Sequence, residues 1–433
     1  MSAAGLRIGP AGGLMGELAV PGDKSISHRA VLLGAISTGP VSVRGFGASV
    51  DTLSTVAAVE ALGAVVERTG DADLVVRGVG LRGLRAPDGP IDVGNAGTLI
   101  RLLPGILAGQ NGTFELTGDD SIRSRPMERI AGPLRQMGVD IETTDGRPPV
   151  RIRSTGRTEP IVYELPVASA QVKSCVLLAG LFAERGVTEV HEPIATRDHT
   201  ERMLRAAGVP VDRGAGRVAV SPVQELRLGE VDVPGDFSSA APFIVAATVL
   251  SGSNLTLRGV GVNPTRTGLL TIMERMGARV GIFRRRLASG EPVADVEVRP
   301  AELVAADVEP ELVPLLVDEL PLVALLACFA HGVTTIRGAG ELRVKESDRI
   351  AATAAALNAV GGHVEPLEDG FRIRGVPARP RGGAMDSRDD HRIAMLGAVA
   401  GLVSREGVEV GGAESVAISF PGFFELLASV TRR

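Results

Sequence analysis

The chain has 433 residues, more than one hydrophobic core organises, and suits two domains of about 200 residues each. Hydrophobic residues make up 44% and charged residues 22%, the balance of a soluble globular protein, and the longest apolar stretches, Val176–Phe182 and Leu320–Ala330, are too short for a membrane span. The formal net charge is −5, so an anionic ligand must be drawn by local cation clusters; with no Trp and one Tyr, Tyr163, the stacking platforms that nucleic acids need are nearly absent.

In chain order, residues 1–20 mix Gly and Glu with short apolar runs and lack a basic flank leading into one apolar block, so no leader peptide is expected and a cytoplasmic setting fits. Leu6-Arg7-Ile8 and Leu18-Ala19-Val20, around a Gly-rich turn, read as a strand pair with no preceding helix. Val20-Pro21-Gly22-Asp23-Lys24-Ser25 then opens a pattern that recurs at Val233-Pro234-Gly235-Asp236-Phe237-Ser238. Each is followed by an Ala-rich helix, a strand ending in Arg-Gly (Arg44-Gly45, Arg258-Gly259), and a second helix. That helix stops at Leu62-Gly63-Ala64 in one copy and Met276-Gly277-Ala278 in the other, and a β-branched strand follows. Further copies run from Gly97 to Gly138, from Ala170 to Gly208, and from Asp318 through Ile336-Arg337-Gly338 to Gly361-Gly362. A sixth starts near Asp389 and ends at its second helix, Phe420–Val430, so the N-terminal strands are expected to complete it.

Each unit reads as βαβαββ and is too small to bury its own sheet, so three should pack around a shared helical core. The expected domains are 21–234 and 1–20 plus 235–433, with hinge crossings near 20–22 and 233–236, where Pro fixes φ and Gly relieves crowding. Cys175 and Cys328 lie in apolar helical runs and read as buried hydrophobes, and six scattered His residues offer no paired-ligand spacing for a transition metal.

Charged residues gather at helix openings, where free N–H groups and the helix dipole already favour an anion. Lys24, Ser25 and Arg29 open the first helix; Gly94-Asn95-Ala96-Gly97-Thr98 with Arg101 opens the next, where small residues admit a ligand to the backbone. Arg123-Ser124-Arg125-Pro126 sets guanidinium groups before a helix, Ser169-Ala170-Gln171-Val172-Lys173-Ser174 gives an apolar helix a polar head, and Thr196-Arg197-Asp198-His199 adds a further Arg. In the C-terminal half, Asp318-Glu319, Lys345-Glu346-Ser347-Asp348-Arg349 and Asp389-Asp390-His391-Arg392 mix both signs of charge. Cations in this number would neutralise two or more acidic groups of small substrates, and carboxylates among them could move protons. Group transfer between two polyanions, without a metal, is the chemistry such a pattern suits.

Pro21–Arg29, Gly94–Thr98, Arg125-Pro126, Arg343–Arg349 and Asp390-His391-Arg392 together resemble, over the whole chain and in order, the signatures of the 5-enolpyruvylshikimate-3-phosphate synthase family. The resemblance implies a two-domain inside-out α/β barrel of six βαβαββ units that closes on substrate, a monomer, and no metal or organic cofactor. It implies transfer of the enolpyruvyl group of phosphoenolpyruvate to the 5-hydroxyl of shikimate 3-phosphate, the sixth step of the shikimate pathway toward chorismate and the aromatic amino acids. It also implies site roles. Lys24, Ser25, Arg29, Ser169, Ala170, Gln171, Arg197, Asp318 and Lys345 would hold shikimate 3-phosphate. Lys24, Gly97, Arg125, Arg349 and Arg392 would hold phosphoenolpyruvate. Asp318 would take the proton from the 5-hydroxyl, and Glu346 would protonate the methylene carbon.

Two features depart from parts of the family. Ile418-Ser419-Phe420-Pro421 lacks the Lys that many members carry before Phe-Pro, and Gly97, without a methyl group, implies sensitivity to glyphosate. The sister transferase acting on UDP-N-acetylglucosamine typically has Cys where Ser124 stands and Asn where Ser25 stands. A non-catalytic polyanion-binding module would not need Asp318 and Glu346 beside its cations.

Overall fold

The computed structural model describes residues 5–433; residues 1–4 of the expected 1–20 segment lie outside the described residues. The chain divides into two compact units. The first holds Gly22–Val233 together with Leu287–Glu291, and the second holds the N-terminal segment through Pro21, Pro234–Arg286 and Pro292–Arg433. Each unit has its own hydrophobic core. Leu287–Glu291 is the tip of the hairpin formed by the strands Arg279–Ala288 and Glu291–Arg299, and its grouping with the first unit has no counterpart in the repeat pattern.

In the first unit the repeat appears as three four-stranded sheets of one topology. Ile91–Asp92 runs parallel to Asn111–Thr117, joined through the helix Leu99–Leu107; the helix Glu128–Gln136 then leads to the hairpin Asp140–Thr144 and Arg147–Thr155, whose second strand pairs antiparallel with Asn111–Thr117. Val162–Glu164, Thr188–His191, Val211–Gly214 and Arg217–Val220 repeat the arrangement around the helices Ala170–Gly180 and His199–Ala206. In the remaining sheet, Pro40–Arg44, Val65–Arg68 and Leu74–Arg77 take their parallel edge strand from Glu230–Asp232, far along the chain.

The second unit corrects the expectation for the N-terminal strands. Leu6–Ile8 does complete the sixth repeat, pairing antiparallel with Val408–Gly411. Gly13–Leu18 instead runs parallel to Asn254–Gly261, so it serves the fourth repeat, and on its other side it pairs with the terminal strand Thr431–Arg432. The two N-terminal strands are therefore not partners of each other. Pattern alone could not separate these cases, because both strands are too short for their side chains to specify one sheet edge over another.

The first helix of each repeat is buried on nearly every side and lies inside the core of its unit. Lys24–Ala35, Leu99–Leu107 and Ala170–Gly180 fill the first unit; Phe237–Val249, Leu320–Phe329 and His391–Val403 fill the second. A Cβ at Gly105 would overlap the carbonyl oxygen of Cys175, so glycine there lets two of these helices meet backbone to backbone. Cys175 is buried and Cys328 half-buried, neither is bonded to another cysteine, and burial pushes both thiols up to about 12. Both are inert packing residues. Among the described residues no helix is long and apolar enough to cross a membrane, and no cluster of His, Cys, Asp and Glu is arranged to hold a metal ion.

Candidate active site

The two Pro-Gly-Asp segments are helix starts. The Asp23 carboxylate accepts the Ile26 N–H at 2.9 Å, and the Asp236 carboxylate accepts the Ser238 N–H at 2.9 Å. A capped helix start leaves the side chains that follow at a fixed angle, and Lys24 is the first of them.

In the first unit Lys24 Nζ lies 2.6 Å from Asp51 Oδ2, on the next helix, with a fifth of its side chain exposed. Arg29 is almost wholly buried: Nε donates to Thr200 Oγ1 at 2.7 Å, Nη1 to the Ser25 carbonyl at 2.9 Å, and Nη2 to Ser174 Oγ at 2.9 Å. Burial lowers its pKa to about 10, against the pull of Glu201 and Asp23, which still leaves it a cation at neutral pH. Ser169 caps its helix by accepting the Val172 N–H, as an ordinary N-cap would. Gln171, two residues on, accepts from Arg101 Nη1 at 2.7 Å and donates to Thr98 Oγ1 at 3.3 Å, tying the second repeat to the third. A Cβ at Gly97 would fall 2.5 Å from Arg125 Nη1, so the absent methyl group is what lets that buried guanidinium sit where it does. Thus Gly97, Arg125, Arg101 and Gln171 form one group. Arg197 is half-exposed in the loop before His199–Ala206.

The second unit gathers its charges around Arg349, 1% exposed at the start of the helix Arg349–Ala359. Nε donates to Asp390 Oδ2 at 2.8 Å, Nη2 to Asp390 Oδ1 at 3.1 Å and to Glu346 Oε2 at 2.6 Å, and Nη1 to Asp318 Oδ1 at 3.3 Å. Burial alone would push the Arg349 pKa down; the three carboxylates, Asp390 foremost, reverse the sign and raise it. Burial would likewise raise the Asp390 carboxyl, and Arg349 overrides it and holds it below the usual carboxylate range. Lys345 is half-buried, and desolvation lowers its pKa although Asp318 opposes this. Arg392 Nη1 reaches the Ser238 carbonyl at 3.3 Å. Ser238 Oγ in turn bonds Glu319 and accepts from Arg266 Nη2 at 2.7 Å, while Arg266 Nη1 stands 3.8 Å from Asp318 Oδ2.

Every candidate except Arg29, in the second turn of Lys24–Ala35, therefore lies at or beside a helix start, grouped by unit. Sequence reading missed Asp51 and Arg266, and it met Arg101 and Asp390 inside helix-opening motifs without assigning either a partner. The signal for Asp390 was its N-cap position: its Oδ1 accepts the Arg392 N–H at 2.9 Å.

His28, between Lys24 and Arg29, is fully buried with Nδ1 2.6 Å from Thr55 Oγ1. Burial lowers its pKa well below the ordinary value of about 6.5, and Lys24 and Arg29 add to the shift. Below pH 6.5 the unfolded chain takes a proton here that the folded chain refuses, so stability falls as pH falls. We expect His28→Gln to flatten this dependence by up to about 1.4 kcal/mol per pH unit between pH 6.5 and 5. Parallel urea melts of the two proteins check it; identical slopes would contradict a neutral His28.

A model of the EPSP synthase family (3-phosphoshikimate 1-carboxyvinyltransferase) matches residues 8–427. Proteins named 3-phosphoshikimate 1-carboxyvinyltransferase from Alkalilimnicola ehrlichii and Methylococcus capsulatus are 50% and 49% identical to it. Each alignment covers 96% of this chain, with 93% and 95% of the respective relatives. A solved EPSP synthase from Acinetobacter baumannii superposes with a TM-score of 0.87 at 43% identity, covering 99% of this chain and 98% of that one. The enolpyruvyl transferase NikO from Streptomyces tendae, at 19% identity and a TM-score of 0.77, shares the fold. A likeness of this extent, over nearly the whole chain, places it in the EPSP synthase family.

Proposed function

We propose that the chain transfers the enolpyruvyl group of phosphoenolpyruvate to the 5-hydroxyl of shikimate 3-phosphate and releases inorganic phosphate. The observation that carries this reading is the convergence of Asp318 and Glu346 on one guanidinium, that of Arg349. The reaction needs two proton carriers of this kind. Asp318 removes the proton from the 5-hydroxyl, whose oxygen bonds to C2 of phosphoenolpyruvate while Glu346 gives a proton to C3. The tetrahedral intermediate then returns a C3 proton to Glu346 as the C2–O bond to phosphate breaks. Protonation at C3 builds positive charge at C2, and the cations stabilise the departing phosphate.

The arrangement also suggests how Glu346 is released for this task. In the chain by itself it is held on Arg349 Nη2. A phosphoenolpyruvate anion arriving at that guanidinium takes over an N–H group, and Glu346 becomes able to carry the proton. In the same reading Arg392 joins Arg349 in binding phosphoenolpyruvate, and Lys345 meets the shikimate hydroxyls. In the first unit Ser25, Arg29, Ser169, Ala170, Gln171 and Arg197 bind shikimate 3-phosphate, Gly97 and Arg125 bind phosphoenolpyruvate, and Lys24 serves both. The crossings at Pro21-Gly22 and Val233-Pro234 act as hinges, and the enzyme works as a cytoplasmic monomer.

Phosphate release from phosphoenolpyruvate tests the reading, measured with shikimate 3-phosphate, with UDP-N-acetylglucosamine and with neither. Release only with shikimate 3-phosphate is expected, with glyphosate competing against phosphoenolpyruvate because Gly97 leaves Arg125 undisturbed. Release only with the nucleotide sugar identifies the sister activity instead, and no release with either acceptor overturns the proposal.

A further inference from the structure

Lys173 lies outside every role assigned above, yet its ammonium is among the most deeply buried charges of the first unit. Its side chain is 0% exposed, with Nζ 2.7 Å from Glu201 Oε1, 3.0 Å from Glu192 Oε2 and 3.4 Å from the Thr196 carbonyl. Glu192 Oε2 also accepts the Thr196 N–H at 2.9 Å and the Thr196 hydroxyl at 2.5 Å. All three polar groups of Thr196 are thus fixed by one buried ion cluster, and Thr196 immediately precedes Arg197. On the other side, Asp198 is 1% exposed and holds Arg202 Nε at 2.8 Å and Arg213 Nη1 at 2.6 Å. His199 Nδ1 lies 2.8 Å from Glu291 Oε1, at the hairpin tip. Residues 196, 198 and 199 are buried and anchored by charge, and Arg197 between them is half-exposed.

Stability alone gives a poor account of this cluster. Three ionised groups taken from water cost several kcal/mol each, and well-packed apolar side chains of the same volume often serve as well or better. What the ions provide, and a hydrocarbon would not, is directional bonding to the loop backbone. We propose that Lys173 and Glu192, balanced by Glu201, are positioning residues that fix the Arg197 loop and so set affinity for the phosphorylated acceptor. This inference rests on Arg197 meeting shikimate 3-phosphate.

Steady-state kinetics of Glu192→Gln, Arg197→Ala and the double variant test it, with Thr196→Val as a milder probe that leaves the ion cluster intact. Glu192→Gln should raise KM for shikimate 3-phosphate about ten-fold, while kcat and KM for phosphoenolpyruvate stay within about two-fold. Arg197→Ala should raise the same KM further, and the double variant should match it, since a brace acting through Arg197 has nothing left to do. Thr196→Val should shift KM in the same direction and decides the matter if Glu192→Gln folds poorly. If Arg197→Ala raises KM but neither brace variant does, or if the effects simply multiply in the double variant, the positioning role is overturned. If Arg197→Ala leaves KM unchanged, the assignment of Arg197 itself has failed and takes this inference with it.

Discussion

Glu346→Gln should lose roughly 10³-fold in kcat while KM for either substrate moves by no more than about three-fold. The amide keeps the size of the carboxylate and can still accept a hydrogen bond from Arg349 Nη2, now 2.6 Å from Glu346 Oε2. What it cannot do is give a proton to C3 or take one back, and both transfers fall on the same group in the proposed sequence. Removal of a group that acts only in the transition state lowers kcat and leaves ground-state binding alone. A charge effect would read differently. If Glu346 merely tuned Arg349, loss of its negative charge should tighten phosphoenolpyruvate, and KM for that substrate would fall with kcat. Deuterium uptake at C3 of phosphoenolpyruvate in heavy water separates the two cases, because a protein without its proton carrier should not exchange that position. Exchange at the original rate, or equal losses in kcat and affinity, would remove Glu346 from the proton path.

The repeats were legible because they are written in residues with backbone consequences. Gly63 and Gly277, at φ +102° and +82°, end their helices in a conformation that other residues adopt with strain, so the landmark survives where side chains diverge. The two Pro-Gly-Asp segments were legible for the same reason, each Asp capping a helix. The exchange of edge strands was not. Glu230–Asp232 and Gly13–Leu18 each enter the sheet that the repeat order would give to the other, and nothing in so short a strand names its partner. At the site, helix-start position led to Lys24, Arg349 and Arg392. Their acidic partners are separated from them by 27 residues for Asp51 and 41 for Asp390, and a pairing over such distances is decided by tertiary packing. Lys173 shows the limit most plainly. In the sequence it belongs to the polar head of a helix, whereas in the fold it is sealed inside, because the next helix brings Glu201 to meet it.

Arg349→Met should destabilise the second unit by about 3–5 kcal/mol, the usual cost of leaving a buried carboxylate without its partner. Asp390 is 0% exposed and receives two of the four hydrogen bonds that Arg349 makes to carboxylates. Asp318 and Glu346, at 17% and 20% side-chain exposure, retain some access to water and should suffer less. The residue to relieve is therefore Asp390. Adding Asp390→Asn to Arg349→Met removes the stranded charge while keeping a side chain that can cap His391–Val403, since Asn serves at that position as well as Asp. The double variant should recover most of the lost stability in urea melts, and it should remain without acceptor-dependent phosphate release. Recovery of stability without turnover would separate the two duties of Arg349, one as counter-ion to Asp390 and one as host to the anionic substrate. Wild-type stability in the single variant would contradict the buried pair, and restored turnover in the double variant would take Arg349 out of the chemistry.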